Sequence, residues 1–128
     1  MLPSEVFQLQ FGRLSVGIDL QIETEKLQKV APKFCSPDDY EILTTHYSIQ
    51  KANHICWSVK EAVFKAYGAG RVNYKDDITF IAFANDNPRR PLIRLGTKDG
   101  RLLQYEGKLS FIGPYLMAQV VDQADPED

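Results

Sequence analysis

Residues 49–67, IQKANHICWSVKEAVFKAY, are the longest stretch of the chain with a helical repeat. Their apolar residues recur at spacings of three and four, which is the period of one face of an α-helix. Gly68 and Gly70 follow, and glycine is typical of helix ends. The pattern predicts a long helix from about Ile49 to Tyr67 whose buried face comprises Ala52, Ile55, Cys56, Val59, Ala62, Val63 and Ala66.

The flanking sequence predicts short helices before this segment and strands mainly after it. Thr24 can cap a helix over residues 25–30, and Ser36 followed by Pro37 and two acids is typical of another helix start. Strands are predicted at 6–9, 14–20, 77–83, 91–95, 102–106, 109–112 and 115–121, the second ending near Asp19. The fold class predicted is α+β, an antiparallel sheet packed against a long central helix.

Composition limits the class of protein. The 128 residues are typical of one domain, which we expect over residues 1–121, followed by an acidic tail at 122–128. A formal net charge of −2 gives no electrostatic basis for nucleic-acid binding. The chain has neither an apolar run of membrane-spanning length nor a signal pattern, and its two cysteines suit neither a disulfide framework nor a zinc site. A cytoplasmic protein without a membrane partner is expected.

Three charged residues in two short segments suggest a site. Asp19 lies in the strand-like segment Val16–Leu20, and Glu61 follows it by 42 positions on the long helix. Lys65 is one helical turn beyond Glu61, so an exposed ion pair between them is expected. Carboxylates from separate elements beside a positive charge suit a hard divalent cation that holds a phosphate-bearing ligand. The alternative is that these residues form no site, and that Glu61 and Lys65 are only a solvated surface pair.

Two ring residues lie on the same stripe of the helix. Trp57 is one turn before Glu61 and is predicted to be a partly buried wall of the site. His54 is one turn before Ser58 and is predicted to be a surface histidine, with ligand contact as the alternative.

The motif Val16-Gly17-Ile18-Asp19, followed by Trp57-Ser58-x-Lys60-Glu61-Ala62-x-x-Lys65, resembles the two signatures of the 4'-phosphopantetheinyl transferase superfamily. A third segment between them, KFCSPDDY at residues 33–40, is similar to the middle motif of that family. The resemblance runs from about Val16 to about Val121. It is to the C-terminal half of the two-domain type, at the length of the single-domain holo-acyl-carrier-protein synthase, and it implies that family's fold.

The resemblance also implies an activity, which is transfer of the 4'-phosphopantetheine arm of coenzyme A to a serine of an acyl- or peptidyl-carrier protein. By family matching, Asp19 and Glu61 would bind Mg²⁺ on the pyrophosphate, and Lys65 would neutralise phosphate charge. Lys60 would lie near the phosphates and take part in proton handling. Asp39 would be the general base, with stabilisation of a helix N-terminus as its alternative role.

The chain departs from the family pattern in ways that leave the activity open. Gln21 stands where the two-domain type has a second acid, and residues 110–114 lack the histidine of a family motif. Family sites form between two domains, so a lone domain would have to form a homo-oligomer, a dimer or a trimer. Three functions therefore remain: an active transferase, a non-catalytic relative that binds coenzyme A or a carrier protein, and an oligomeric interaction domain.

Overall fold

The computed structural model describes residues 8–11 and 14–123. The start of the predicted strand at 6–9 thus lies outside the described residues. The same is true of the end of the predicted tail at 122–128. The strands are β1 (Gln8–Phe11), β2 (Leu14–Ile22), β3 (Ile78–Phe83), β4 (Pro91–Gly96), β5 (Leu102–Ile112) and β6 (Tyr115–Asp122). The helices are α1 (Glu25–Val30), α2 (Pro37–Leu43), α3 (Ile49–Tyr67) and α4 (Tyr74–Asp77), with short 3₁₀ turns at Ala31–Lys33 and Ala84–Asp86.

The described strands form one antiparallel sheet in the order β1-β2-β6-β5-β4-β3. The long helix α3 packs across β2 and β6, and α2 packs against β3. The predicted α+β class, with an antiparallel sheet against a central helix, is confirmed. No helix in the described part of the chain is both long and apolar enough to span a membrane.

The helices begin and end where local chemistry dictates. The Thr24 side chain accepts a hydrogen bond from the Leu27 backbone and caps α1, and Ser36 caps α2. Gly68 ends α3 in the left-handed conformation, with φ of 66°. All seven residues predicted for the buried face of α3 are fully buried.

Gly17 determines how closely β2 approaches α3. A Cβ at this position would lie 2.0 Å from the backbone oxygen of Ala62 and 2.9 Å from the backbone nitrogen of Ala66. Any other residue would push the strand away from the helix, since both of these atoms belong to the backbone. Asp19, two residues further along β2 on the same face, is therefore held directly against α3.

Three predicted boundaries are wrong. The second strand does not end near Asp19 but continues to Ile22, because β2 pairs with β6 as far as Ile22 and Tyr115. The strands predicted at 102–106 and 109–112 are one strand, β5, in which Gly107 is small enough to pass Pro91. Asp77 ends the helix α4 rather than beginning a strand.

Candidate active site

Asp19 is fully buried between β2 and α3. Its Oδ1 accepts hydrogen bonds from Lys65 Nζ at 2.8 Å and from Gln21 Nε2 at 3.4 Å. Its Oδ2 is also buried and has no hydrogen-bond partner among the described residues. Burial raises the pKa of Asp19 above its ordinary value, although the bond from Lys65 opposes the shift. An unpartnered carboxylate oxygen in the interior is costly, so Asp19 has the capacity to bind one more cationic group or proton donor.

Lys65 does not form the exposed pair with Glu61 that the helical spacing predicts. Its side chain is 5% exposed, and its ammonium group bonds to Asp19 instead. The physical reason is the close approach at Gly17, which brings the Asp19 carboxylate to the face of α3 that carries Lys65. In the folded chain Lys65 is therefore a buried counter-ion to Asp19.

Glu61 is half-buried at the rim of the same region. Its Oε1 accepts a hydrogen bond from the Tyr74 hydroxyl, which reaches it from α4. Burial is the main cause that raises the pKa of Asp19, and the negative charge of Glu61 raises it further. The structure thus brings together Asp19, Glu61 and Lys65, three of the residues that the sequence selects.

Asp39 and Lys60 form a second pair, away from solvent. Lys60 Nζ donates to Asp39 Oδ2 at 2.6 Å, to the Phe34 carbonyl at 2.9 Å and to the Tyr74 carbonyl at 2.6 Å. Asp39 also accepts from the backbone nitrogens of Ser36 at 2.8 Å and Phe80 at 3.0 Å. Both side chains have zero solvent exposure, and every ammonium proton of Lys60 has an acceptor.

This geometry bears on the roles expected for the pair. A general base must come within hydrogen-bond reach of the proton that it abstracts. A residue that binds phosphate must likewise contact the phosphate oxygens. The enclosed bonds of Asp39 and Lys60 offer neither contact in this conformation. Asp39 instead completes a reciprocal capping box with Ser36 at the start of α2, which is the alternative role at a helix N-terminus.

Cys35, Cys56 and Asp39 place three potential metal-ligand atoms within 4.8 Å of one another. Lys60, however, already puts a positive charge on the Asp39 oxygen to which Cys56 also donates. Both Asp39 oxygens are thus occupied, Oδ1 by the Phe80 backbone nitrogen and Oδ2 by Lys60 and the Ser36 backbone nitrogen, so the cluster leaves no carboxylate oxygen free for a cation. Both cysteines are buried free thiols.

His54 was predicted to be a surface histidine, and this is wrong. Its side chain is buried against β2, where Nε2 lies 3.2 Å from the Gln21 carbonyl. Its Nδ1 is buried and has no hydrogen-bond partner in the described part of the chain. Burial lowers the pKa of His54, so the neutral ring is favoured.

A largely apolar cavity of about 340 Å³ is lined by residues of β2, α1 and α3. Gln21 and Trp57 line it, together with Leu27 and Phe34, and Trp57 is half-buried as predicted. The Trp57 ring also packs against Tyr74, 5.6 Å between centroids, and Tyr74 bonds to Glu61. Gln21 in turn bonds to Asp19, so two residues of the cavity wall lead to the carboxylates, although neither carboxylate lines the cavity.

The donor set at Asp19 and Glu61 fits a hard divalent cation. Both residues offer carboxylate oxygens, which Mg²⁺ prefers, and two protein carboxylates are enough because Mg²⁺ keeps several waters. The unpartnered Oδ2 of Asp19 supplies a buried oxygen that lacks a positive partner. Gln21 holds the other Asp19 oxygen and brings no further charge.

Sequence reasoning missed Tyr74, whose hydroxyl bonds to Glu61. The one available signal was Asn73, a good N-cap residue followed by Asp76 and Asp77, which is typical of a helix start. The Asn73 side chain indeed accepts hydrogen bonds from the backbone nitrogens of Lys75 and Asp76.

One protein family shares the sequence pattern of this chain. No curated protein shows a significant match to the chain. A family model, that of the 4'-phosphopantetheinyl transferase superfamily, matches residues 15–120. This range includes Asp19, Asp39, Lys60, Glu61 and Lys65 and covers most of the chain. The protein therefore belongs to the 4'-phosphopantetheinyl transferase superfamily.

Proposed function

We propose that the protein transfers the 4'-phosphopantetheine arm of coenzyme A to a serine of an acyl- or peptidyl-carrier protein in a Mg²⁺-dependent reaction. The observation that carries the proposal is the buried, unpartnered Oδ2 of Asp19 beside Glu61 and Lys65. This arrangement combines two carboxylates for a cation with a lysine of fixed position. Membership of the superfamily supplies the reaction class.

The chemistry is phosphoryl transfer. The serine oxygen loses its proton to solvent and forms a bond to the phosphorus that carries the pantetheine arm. The bond from that phosphorus to the adenosine diphosphate portion breaks, and 3',5'-ADP leaves. A bound Mg²⁺ would neutralise pyrophosphate charge, and Asp19 and Glu61 would hold it. Catalysis of this kind depends on positioning and charge stabilisation.

Lys65 would act on the phosphate charge from its place beside Asp19. Its ammonium group is fixed by one bond to a carboxylate, so it can present its other donors without first losing side-chain freedom. The enclosed geometry of Asp39 and Lys60 supports a structural part for these two residues. The proposal therefore gives neither of them a role in proton transfer or phosphate binding.

The apolar cavity supports binding of a largely neutral group beside the carboxylates. Its lining by Leu27, Val30, Phe34 and Trp57 suits apolar contact, while Gln21, Thr24 and Lys26 offer polar groups at its wall. A carrier protein that brings its serine to this edge would find an apolar surface next to the charged group.

Self-association forms part of the proposal, because sites of this superfamily lie between two domains. Ile22, Tyr115 and Ile112 are exposed and occupy one register row across β2, β6 and β5. Adjacent exposed apolar side chains mark interaction surfaces. A dimer or trimer should be visible by light scattering at micromolar concentration, and a strict monomer would count against a complete site.

The proposed location is the cytoplasm. Cys35 and Cys56 are free thiols close to one another, which suits a reducing compartment.

A second candidate function is binding of coenzyme A without transfer. Residues 110–114, at the end of β5 and in the turn after it, offer no histidine where the family has one. This candidate predicts that coenzyme A binds and that no carrier protein gains mass.

One assay distinguishes the two functions. The full chain is incubated with Mg²⁺, coenzyme A and a set of apo-carrier proteins, and the carriers are weighed by mass spectrometry. Transfer adds the mass of the phosphopantetheine arm, and a chelator abolishes the gain. If no carrier gains mass while calorimetry detects coenzyme A binding, the transferase proposal fails and the binding function stands.

A further inference from the structure

We infer that Tyr74 is a positioning residue for Glu61, and that the buried Asp39–Lys60 pair fixes Tyr74 where it can act. The inference rests on the proposed function, since Glu61 is one of the two carboxylates proposed to hold Mg²⁺. It also assigns a purpose to the two motif residues whose bonds are enclosed.

The first observation is how tightly the Tyr74 ring is held. It packs against Trp57 at 5.6 Å and against Phe64 at 5.7 Å between centroids, and both residues lie on α3. Its hydroxyl donates to Glu61 Oε1. A glutamate side chain is flexible by itself, and a bond from a ring with fixed neighbours selects one of its orientations.

The second observation concerns the Tyr74 backbone. Its carbonyl accepts a hydrogen bond of 2.6 Å from Lys60 Nζ, and Lys60 is itself held by Asp39 and by the Phe34 carbonyl. The preceding residue, Asn73, caps α4. The segment that carries Tyr74 is thus fixed to the interior of the protein at its first residues.

These contacts connect Lys60 and Glu61, which are adjacent on α3 but whose side chains do not contact each other. Residues i and i+1 of a helix point in different directions, so Lys60 turns into the core while Glu61 reaches the rim. Lys60 holds the Tyr74 carbonyl and Tyr74 returns to Glu61 through its hydroxyl.

The test removes one hydroxyl and measures Mg²⁺ affinity. Tyr74→Phe keeps the ring and loses the donor, and Tyr47→Phe is the matched control because the Tyr47 hydroxyl donates to the Pro88 carbonyl instead. Mg²⁺ alone is titrated into each full-length protein by calorimetry. Emission of Trp57, the single tryptophan, is a second readout because its ring contacts Tyr74. Loss of a residue that orients a metal ligand typically weakens affinity about 10- to 100-fold.

We expect this weakening in Tyr74→Phe, wild-type affinity in Tyr47→Phe, and similar melting temperatures for the two variants. Equal affinity in Tyr74→Phe and wild type would overturn the inference and leave the proposed function intact. Wild type that binds no Mg²⁺ would overturn the proposed metal site and the inference with it.

A double-mutant cycle distinguishes positioning of Glu61 from an indirect effect of Tyr74→Phe. Glu61→Asp shortens the side chain by one methylene, so the carboxylate no longer reaches the Tyr74 hydroxyl. In that background Tyr74→Phe should weaken Mg²⁺ binding no further, because the interaction is already lost. Independent, additive effects of the two substitutions would contradict the positioning role.

Discussion

Helix α3 carries two buried lysines, each paired with a carboxylate from an earlier part of the chain, and the two pairs differ in how completely their bonding capacity is used. Lys60 and Asp39 satisfy each other and four backbone groups. Lys65 and Asp19 share one bond of 2.8 Å, and Asp19 Oδ2 has no partner among the described residues.

The difference separates a lysine of α3 that stabilises the fold from one that can take part in ligand binding. A buried charge pair with every bond made stabilises a single arrangement and has nothing left for a ligand. A buried carboxylate with a free oxygen, beside a second carboxylate, retains capacity for a cation. We therefore interpret Asp39–Lys60 as the framework and Asp19, Glu61 and Lys65 as the site.

The largest effect is expected when the framework pair is broken. Lys60→Met leaves Asp39 buried without its counter-ion and should lower the free energy of unfolding by about 3–5 kcal/mol. Lys98→Met is the control, because it removes an exposed pair with Asp77 that is worth roughly 0.2–1 kcal/mol. Urea denaturation of both variants measures the two values. Equal losses would show that burial of the Asp39–Lys60 pair has no energetic consequence.

The next effect concerns transfer. Lys65→Met removes a positioned positive charge and should reduce the transfer rate about a hundred- to thousandfold, the usual cost of losing one charge-stabilising group. Stability should also fall, because Asp19 stays buried, but by less than in Lys60→Met, since Lys65 makes one bond to Asp19 whereas Lys60 bonds to Asp39 and to two backbone carbonyls. Lys108→Met, an exposed lysine on β5, is the control for rate. An unchanged rate in Lys65→Met would remove Lys65 from the site.

The smallest effect is a pH dependence of stability that arises from His54, outside both lysine–aspartate pairs. Burial lowers the pKa of His54 below its ordinary 6.5, so below that pH the unfolded chain binds a proton that the folded chain resists. Stability should therefore fall as pH drops through about 6.5, with a slope of at most about 1.4 kcal/mol per pH unit from one histidine.

Substitution of each histidine identifies the source of that slope. His54→Gln should flatten the fall, whereas His46→Gln, at the exposed residue that contacts Asp86, should leave it in place. Denaturation at pH 5.5 and 7.5 measures both. If the slope survives in His54→Gln, the acid sensitivity has another origin.

Sequence patterns predict what is local in this fold. The bounds of α1 and the end of α3 follow from Thr24 and Gly68, and the length of α3 follows from its apolar period, because caps and periodicity act within a few residues. The family motifs likewise selected Asp19 and Glu61, which the fold brings together. The proposed metal role of these two residues stays a prediction.

The partners of charged residues are not local and were predicted less well. Helical spacing joins Lys65 to Glu61, but the absence of a Cβ at Gly17 lets Asp19 reach Lys65 first. The bonds of Lys60 depend on where residues 34, 39 and 74 meet in the folded chain, and no pattern along the sequence encodes that meeting. Tyr74 was missed for the same reason.

The most direct test of this account is a calorimetric Mg²⁺ titration of wild type and Asp19→Asn at two pH values. Wild type should bind one Mg²⁺ per chain, and more weakly at the lower pH, because burial raises the pKa of Asp19 and a proton then competes with the cation. Asp19→Asn, which retains the shape of the side chain and loses its charge, should show no binding at either pH. Equal Mg²⁺ affinity in Asp19→Asn and wild type would contradict the assignment of Asp19 to the site.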